Sequence, residues 1–402
     1  MNRSTVIVRN SFFFYISFFT AGTQTIVTQM YLLKHYPAEK AILLPAILLL
    51  GALTGITGAF VSRKFLKVKT SALTIGFLIF LHAFCFLALL NTANIFLYTL
   101  FYIAGCFLMA FLYNYLDNYY ARTADASSID WHIRSLLVFQ MLAFIISPLF
   151  FAVSGSALLS TVTVALLAIL TGTPALLILT KSIRTGMNIT ETKVVQQKQA
   201  PMDSKEKLAL VYILLLFTVV SIYLSMVTFI VSDYYRFAGY STKSGVALMI
   251  TSLAACIGVL KLKPLKEDKA GENIPDRHFR PQLQLLITCT ALAMGLLLML
   301  KLVNSFIYFL LISIVLGYVY GLFLNSTRQY AVNISNYRNS TLFLTIYNNG
   351  QSISFVVSNI LLACIWLIQK IIDAEYYLLL FMMLLALLVI DLVLLMRWRT
   401  QN

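Results

Sequence analysis

Charge is what this chain has least of. Of 402 residues only 11% are charged while 60% are hydrophobic, and no water-soluble domain of that length has a core able to bury so much apolar surface. Acidic residues number 15 against 30 Lys and Arg, and of the acids only Asp117, Asp233 and Asp391 fall in or at the edge of an apolar run. Cysteine and histidine are sparse too. Cys85, Cys106, Cys256, Cys289 and Cys364 lie singly in apolar stretches, and His35, His82, His132 and His278 are scattered, so neither a disulfide framework nor a metal site is expected. No glycine loop of the phosphate-cradling kind occurs, which argues against ATP as a direct energy source, and no cofactor is expected. External connections are too short to carry the clustered Asp, His, Arg or Glu of a membrane-embedded transferase, so the chain does not read as an enzyme.

What is present is a series of long apolar runs. A helix needs about 20 apolar residues to cross the hydrocarbon core, and that ruler finds twelve candidates, near 11–33, 41–61, 70–90, 95–117, 135–154, 156–180, 208–232, 244–262, 282–302, 305–326, 340–367 and 374–396. The runs are too long and too uniform for transmembrane β-strands. The first is followed by no small-residue cleavage site, so it reads as an anchor rather than a removable signal. An all-α polytopic membrane protein is predicted, its tightly joined spans antiparallel neighbours.

Basic residues near span ends favour the cytoplasm. With the N-terminus inside, only Lys34, Lys40, Arg236, Lys243, Lys301 and Lys370 fall outside. The net charge of +15 is then a topology signal and does not point to nucleic acid. Both termini are expected in the cytoplasm and the chain in the inner membrane. The longest polar stretch, KSIRTGMNITETKVVQQKQAPMDSKEK at 181–207, lacks aromatics and is rich in Lys, Gln and Thr; it reads as a linker between a six-helix bundle at 1–180 and another at 208–402. The loop at 261–281 is similar in character, with Pro and Gly that argue against a fold of its own.

The two halves share a pattern. TIVTQMYLLKHYPAEKA at 25–41 lies over FIVSDYYRFAGYSTKSG at 229–245, matching Ile26 with Ile230, Val27 with Val231, Tyr31 with Tyr235 and Tyr36 with Tyr240. Ser17, Ala21, Gln24, Thr28 and Tyr31 step along one face of span 1, and Ser221, Ser225, Thr228, Ser232 and Tyr235 step along the same face of span 7. Such stripes suit helices with one side toward water or substrate, although Ser and Thr in apolar helices also serve as interhelical glue. Two pseudo-symmetric halves around a central cavity is an arrangement that many secondary transporters use.

Here the chain resembles the major facilitator superfamily. The resemblance rests on twelve spans in about 400 residues, cytoplasmic ends, a basic loop after span 2 and a long loop after span 6. The family's motif after span 2 is worn: GAFVSRKFLK gives Gly58, Ser62 where the family has Asp, then Arg63, with Phe65 and Leu66 for the next Gly and Arg, and Lys67. Gly51, Gly55 and Gly58 persist as a small-residue stripe that permits close helix approach. The span 4 arginine of many proton-coupled members falls on Phe101, and the glycine and proline motif of antiporters in span 5 is reduced to Ser147 and Pro148.

Polar residues inside spans are expensive and mark function by default. Span 11 opens TLFLTIYNNGQSISF, in which Thr341, Thr345, Asn348 and Ser352 form a stripe with Asn349 and Gln351 beside it. The candidate substrate residues are Gln24, Thr28, Tyr31, Gln140, Ser221, Thr228, Asn348, Asn349 and Gln351. Asp117, in YNYLDNYYAR, reads either as an interfacial carboxylate within an aromatic belt or as a gate that pairs with Arg328 and releases on protonation; Arg63 joins them as a gating candidate. The resemblance implies a monomeric secondary transporter with protons or another ion for coupling, and a cavity rich in Ser, Thr, Asn, Gln and Tyr with few formal charges suits a small polar organic molecule, neutral or zwitterionic. Export by antiport is favoured. An uptake permease of the same fold and a non-transporting receptor are the alternatives.

Overall fold

A computed structural model describes residues 40–65, 72–123, 134–143, 242–261, 305–338, 341–372 and 376–401, with single positions between 24 and 36, between 204 and 222, and at 145 and 291. Seven helices are delimited: α1 (Lys40–Phe65), α2 (Ala72–Asn91), α3 (Ile95–Thr123), α4 (Thr242–Lys261), α5 (Phe306–Arg338), α6 (Thr341–Ile372) and α7 (Tyr376–Gln401). Among the described residues there is no strand. These helices fall on the spans expected at 41–61, 70–90, 95–117, 244–262, 305–326, 340–367 and 374–396. The spans expected at 156–180 and, apart from Ala291, at 282–302 lie outside the described residues, as does the linker at 181–203.

Leu, Ile and Phe runs form helices because a backbone in hydrocarbon has only itself to bond to. Leu43–Lys64, Ile95–Tyr115, Phe306–Ala331 and Ser352–Gln369 are each long and apolar enough to cross a membrane. The start of α3 is set by Asn94, whose Oδ1 accepts from the backbone N–H of Phe96 at 2.9 Å and of Leu97 at 3.3 Å, an asparagine N-cap. The distribution of polarity is inverted relative to a soluble protein. Phe96, Ile307 and Ile371 are 73%, 70% and 80% exposed, whereas Thr28, Ser62, Asn114 and Asn325 are fully buried. Apolar groups turned outward and amides turned inward are what a lipid solvent selects.

The chain divides into two compact units, one of Met1–Pro201 with Ala331–Ser352 and one of Met202–Tyr330 with Ile353–Asn402. In the first, α1 and α3 run side by side in the same direction. A Cβ on Gly58 would collide with the Phe107 carbonyl, and one on Gly51 with the Tyr102 ring, so glycine lets the backbones touch. In the second unit α4 and α5 also run in the same direction. There a Cβ on Gly258 would meet the Tyr318 carbonyl, one on Gly317 the Thr251 carbonyl, and one on Gly321 the Ala255 carbonyl.

Each seam ends in a buried asparagine. Asn114 of α3 donates Nδ2 to the Ala59 carbonyl of α1 at 3.0 Å, and Asn325 of α5 donates Nδ2 to the Val259 carbonyl of α4 at 2.7 Å. Cys106, Ala110 and Asn114 are therefore matched by Gly317, Gly321 and Asn325 at the same spacing, while Gly51, Gly55, Gly58 and Ala59 are matched by Thr251, Ala255, Gly258 and Val259. The internal repeat is written in side-chain size more than in identity.

Candidate functional site

Gln24, Thr28 and Tyr31 are buried along one face of a helical segment, as their spacing predicts, and that face meets α3. Gln24 Nε2 donates to the Tyr102 carbonyl at 3.1 Å, and the Cys106 sulfur lies 3.9 Å from the same nitrogen. Gly105 makes room for it, since a Cβ there would sit 3.1 to 3.2 Å from the amide. The Thr28 hydroxyl donates to the Gln24 carbonyl at 2.9 Å and accepts from the Tyr98 hydroxyl at 2.9 Å. Tyr31 stacks on Tyr98 with ring centroids 3.9 Å apart and its hydroxyl donates to the Ala93 carbonyl at 2.7 Å. From Gln24 to Tyr31 the described positions thus run antiparallel to α3, with three links of hydroxyl, amide and ring to that helix and a fourth to Ala93 just before it.

A second polar node lies further along α3. Asn114 Nδ2 is shared between the Ala59 carbonyl and Ser62 Oγ, the latter at 2.6 Å. The Ser62 hydroxyl donates to the Ala59 carbonyl at 2.7 Å, which leaves its lone pairs free to accept. Asn114 Oδ1 accepts from Asn348 Nδ2 of α6 at 3.4 Å, a long contact. One helical turn on, Ser352 Oγ is 3.2 Å from the position a Cβ on Gly55 would take. These steps run backward along α1 as they advance from Asn348 to Ser352, so that stretch of α6 lies antiparallel to α1 and α3.

Beside this node stand buried polar atoms with nothing to bond. Asn348 Oδ1 and both Oδ1 and Nδ2 of Asn349 are unpartnered, and Asn349 is 1% exposed. Leaving a buried donor or acceptor unmade costs about 1–3 kcal/mol each. Helix α6 keeps three such atoms on two adjacent residues. His82 of α2 is likewise buried with Nε2 unpartnered.

The remaining candidates are dispersed. Gln140 is half-buried on the helical stretch at 134–143, Arg63 is half-buried in the last turn of α1, Ser221 is buried, and Arg328 of α5 is the largest of the fully buried side chains. Asp117 lies on α3, three residues past Asn114, as Arg328 lies three past Asn325. The side chains of Asp117 and Gln351, and the whole of Thr228, fall outside the described residues, so the gate proposed for Asp117 does too. In the second unit Gln329 Nε2 donates to Asn325 Oδ1 at 3.1 Å, and Ser354 Oγ donates to the Leu214 carbonyl at 3.0 Å. Among the described residues no group of His, Cys, Asp or Glu is arranged to hold a metal ion.

Sequence reasoning assigned no structural partner to Asn114, Tyr98 or Asn325, and met Ser62 only as a departure from the motif after span 2. Asn114 sits in a tyrosine-rich stretch where the eye goes to the carboxylate three residues on. The signal that finds it is the paired spacing of small residues and asparagine on α3 and α5.

No protein-family model and no curated protein matches the chain in sequence. Solved structures match it in fold. The human organic anion transporter MFSD10 (TETRAN) superposes with a TM-score of 0.67 at 13% identity, over 98% of this chain and 100% of that one. A bacterial homologue of the human lysosomal transporter Spinster, in an inward-facing and occupied conformation, superposes with a TM-score of 0.60 at 11% identity, over 98% and 95%. Both are named as transporters. At these identities the likeness is one of fold, that of a helical, polytopic integral membrane protein.

Proposed function

We propose, for a chain that shares the fold of the major facilitator superfamily, a secondary transporter of a small, neutral or zwitterionic polar organic molecule. The observation that supports it most is the group of amides on α6. Helices that turn Phe and Ile outward keep Asn348 and Asn349 within, with three buried atoms unsatisfied, and such a cost is retained where a polar solute supplies the missing bonds. Gln24, Thr28, Tyr31, Gln140, Ser221, Thr228 and Gln351 complete the proposed solute path. Protons are the proposed coupling ion, acting through Asp117, and export by antiport is the proposed direction. Two six-helix bundles at 1–180 and 208–402, joined by the cytoplasmic segment 181–207, carry the alternating access in this reading.

This reading predicts that Gln24→Leu and Asn348→Leu, reconstituted at wild-type yield, lose flux or change the solute carried. Normal flux in both would make the polar stripes structural.

A further inference from the structure

We infer that Asn349, with Asn348 beside it, binds a neutral planar group in which N–H donors adjoin a carbonyl acceptor, as in a primary carboxamide, lactam or cyclic imide. This deepens the transporter reading and rests on it. The argument starts at Asn114. Its Nδ2 faces the Ala59 carbonyl at 3.0 Å, and a carbonyl only accepts, so the orientation of that amide is fixed and its Oδ1 faces Asn348. An acceptor there requires Asn348 to present Nδ2, at 3.4 Å. Asn348 Oδ1 is thereby turned away, buried and unpartnered.

Asn349 adds a whole carboxamide edge, Oδ1 and Nδ2 both buried and both unpartnered. The inventory of unmet groups is two acceptor oxygens and one donor nitrogen. A carboxylate fails this inventory, because it has no donor and sets its charge against two carbonyl oxygens. An ammonium fails it too, because it offers Asn349 Nδ2 no acceptor. An amide edge meets that of Asn349 in full, an N–H donating to Oδ1 while the carbonyl accepts from Nδ2, and no net charge is brought into an apolar helix, where charge is expensive. In the second unit the counterpart of Asn114 is engaged differently, since Asn325 Oδ1 accepts from Gln329 Nε2 of its own helix.

The test is thermal stability of the purified full-length protein in detergent, titrated with benzamide and succinimide and with N,N-dimethylbenzamide, N-methylsuccinimide and benzoate. The expected result is a saturable rise in melting temperature with benzamide or succinimide. N-methylation should weaken apparent affinity by at least about fivefold to tenfold, since each lost hydrogen bond is worth on the order of 1 kcal/mol, and benzoate should have no effect. Asn349→Leu should abolish the response and Asn349→Gln should retain part of it. Equal responses to the methylated compounds or to benzoate overturn the inference, as does an undiminished response in Asn349→Leu. No response of the wild type to any of the five overturns it as well and assigns the unmet atoms to water. If Asn349→Leu does not fold, the wild-type ligand series and Asn349→Gln decide. Flux of some solute in liposomes without an amide response refutes this inference and leaves the transporter reading intact. An amide response without flux of any solute does the reverse.

Discussion

Replacing Asn114 by alanine removes the junction of α1, α3 and α6. The side chain is fully buried and makes two good hydrogen bonds, at 3.0 Å to the Ala59 carbonyl and 2.6 Å to Ser62 Oγ, with a weaker third at 3.4 Å from Asn348. Interhelical hydrogen bonds within membranes average about 0.6 kcal/mol and reach about 1.7 kcal/mol. Two good bonds and one poor one then amount to about 2 kcal/mol, with the void left by the lost amide adding modestly. The Ser62 share is separable. Its hydroxyl is already oriented by donating to Ala59, so a double-mutant cycle of Asn114→Ala with Ser62→Ala should show a coupling of about 1 kcal/mol. Reversible unfolding in mixed micelles measures it. A coupling indistinguishable from zero, with wild-type stability in both single variants, would refute the claim that this node holds the three helices together.

Two further outcomes are expected. In a cysteine-free background, a single cysteine at position 193 should react with a membrane-impermeant reagent only from the cytoplasmic side, whereas cysteines at Lys40 and Lys370 should react from outside; external labelling at 193 inverts the proposed topology. Asp117→Asn should slow flux driven by a pH gradient while leaving solute exchange at equal pH intact, because only the protonatable group is lost. Wild-type pH dependence in that variant would return Asp117 to the membrane interface.

The positions of the seven delimited helices were legible because a membrane span is a matter of apolar length. Helix ends were less so: the spans expected to close at 117 and 326 continue as helix to Thr123 and Arg338. Hydropathy registers the edge of the hydrocarbon, while backbone hydrogen bonding carries on beyond it. The stripe of Gln24, Thr28 and Tyr31 was readable as one face, but its bonds to Tyr102, Tyr98 and Ala93 needed the register of α3. The asparagine seams were hidden for a different reason. Gly51 opposes Tyr102 and Cys106, and its counterpart Thr251 opposes Gly317, so the two units keep the close approach while exchanging which helix supplies the small residue. An alignment of letters scores that exchange as a mismatch.

The central claim is that the chain moves a solute across a membrane. Counterflow in proteoliposomes measures it most directly: vesicles loaded with one unlabelled compound at a time from a library of neutral, zwitterionic and anionic metabolites, and labelled tracer added outside. The account predicts saturable, transient accumulation of tracer for at least one polar organic compound, lost in Gln24→Leu and Asn348→Leu. Tight binding of a compound with no flux in any member of the library would contradict it and make the protein a receptor built on a transporter's fold.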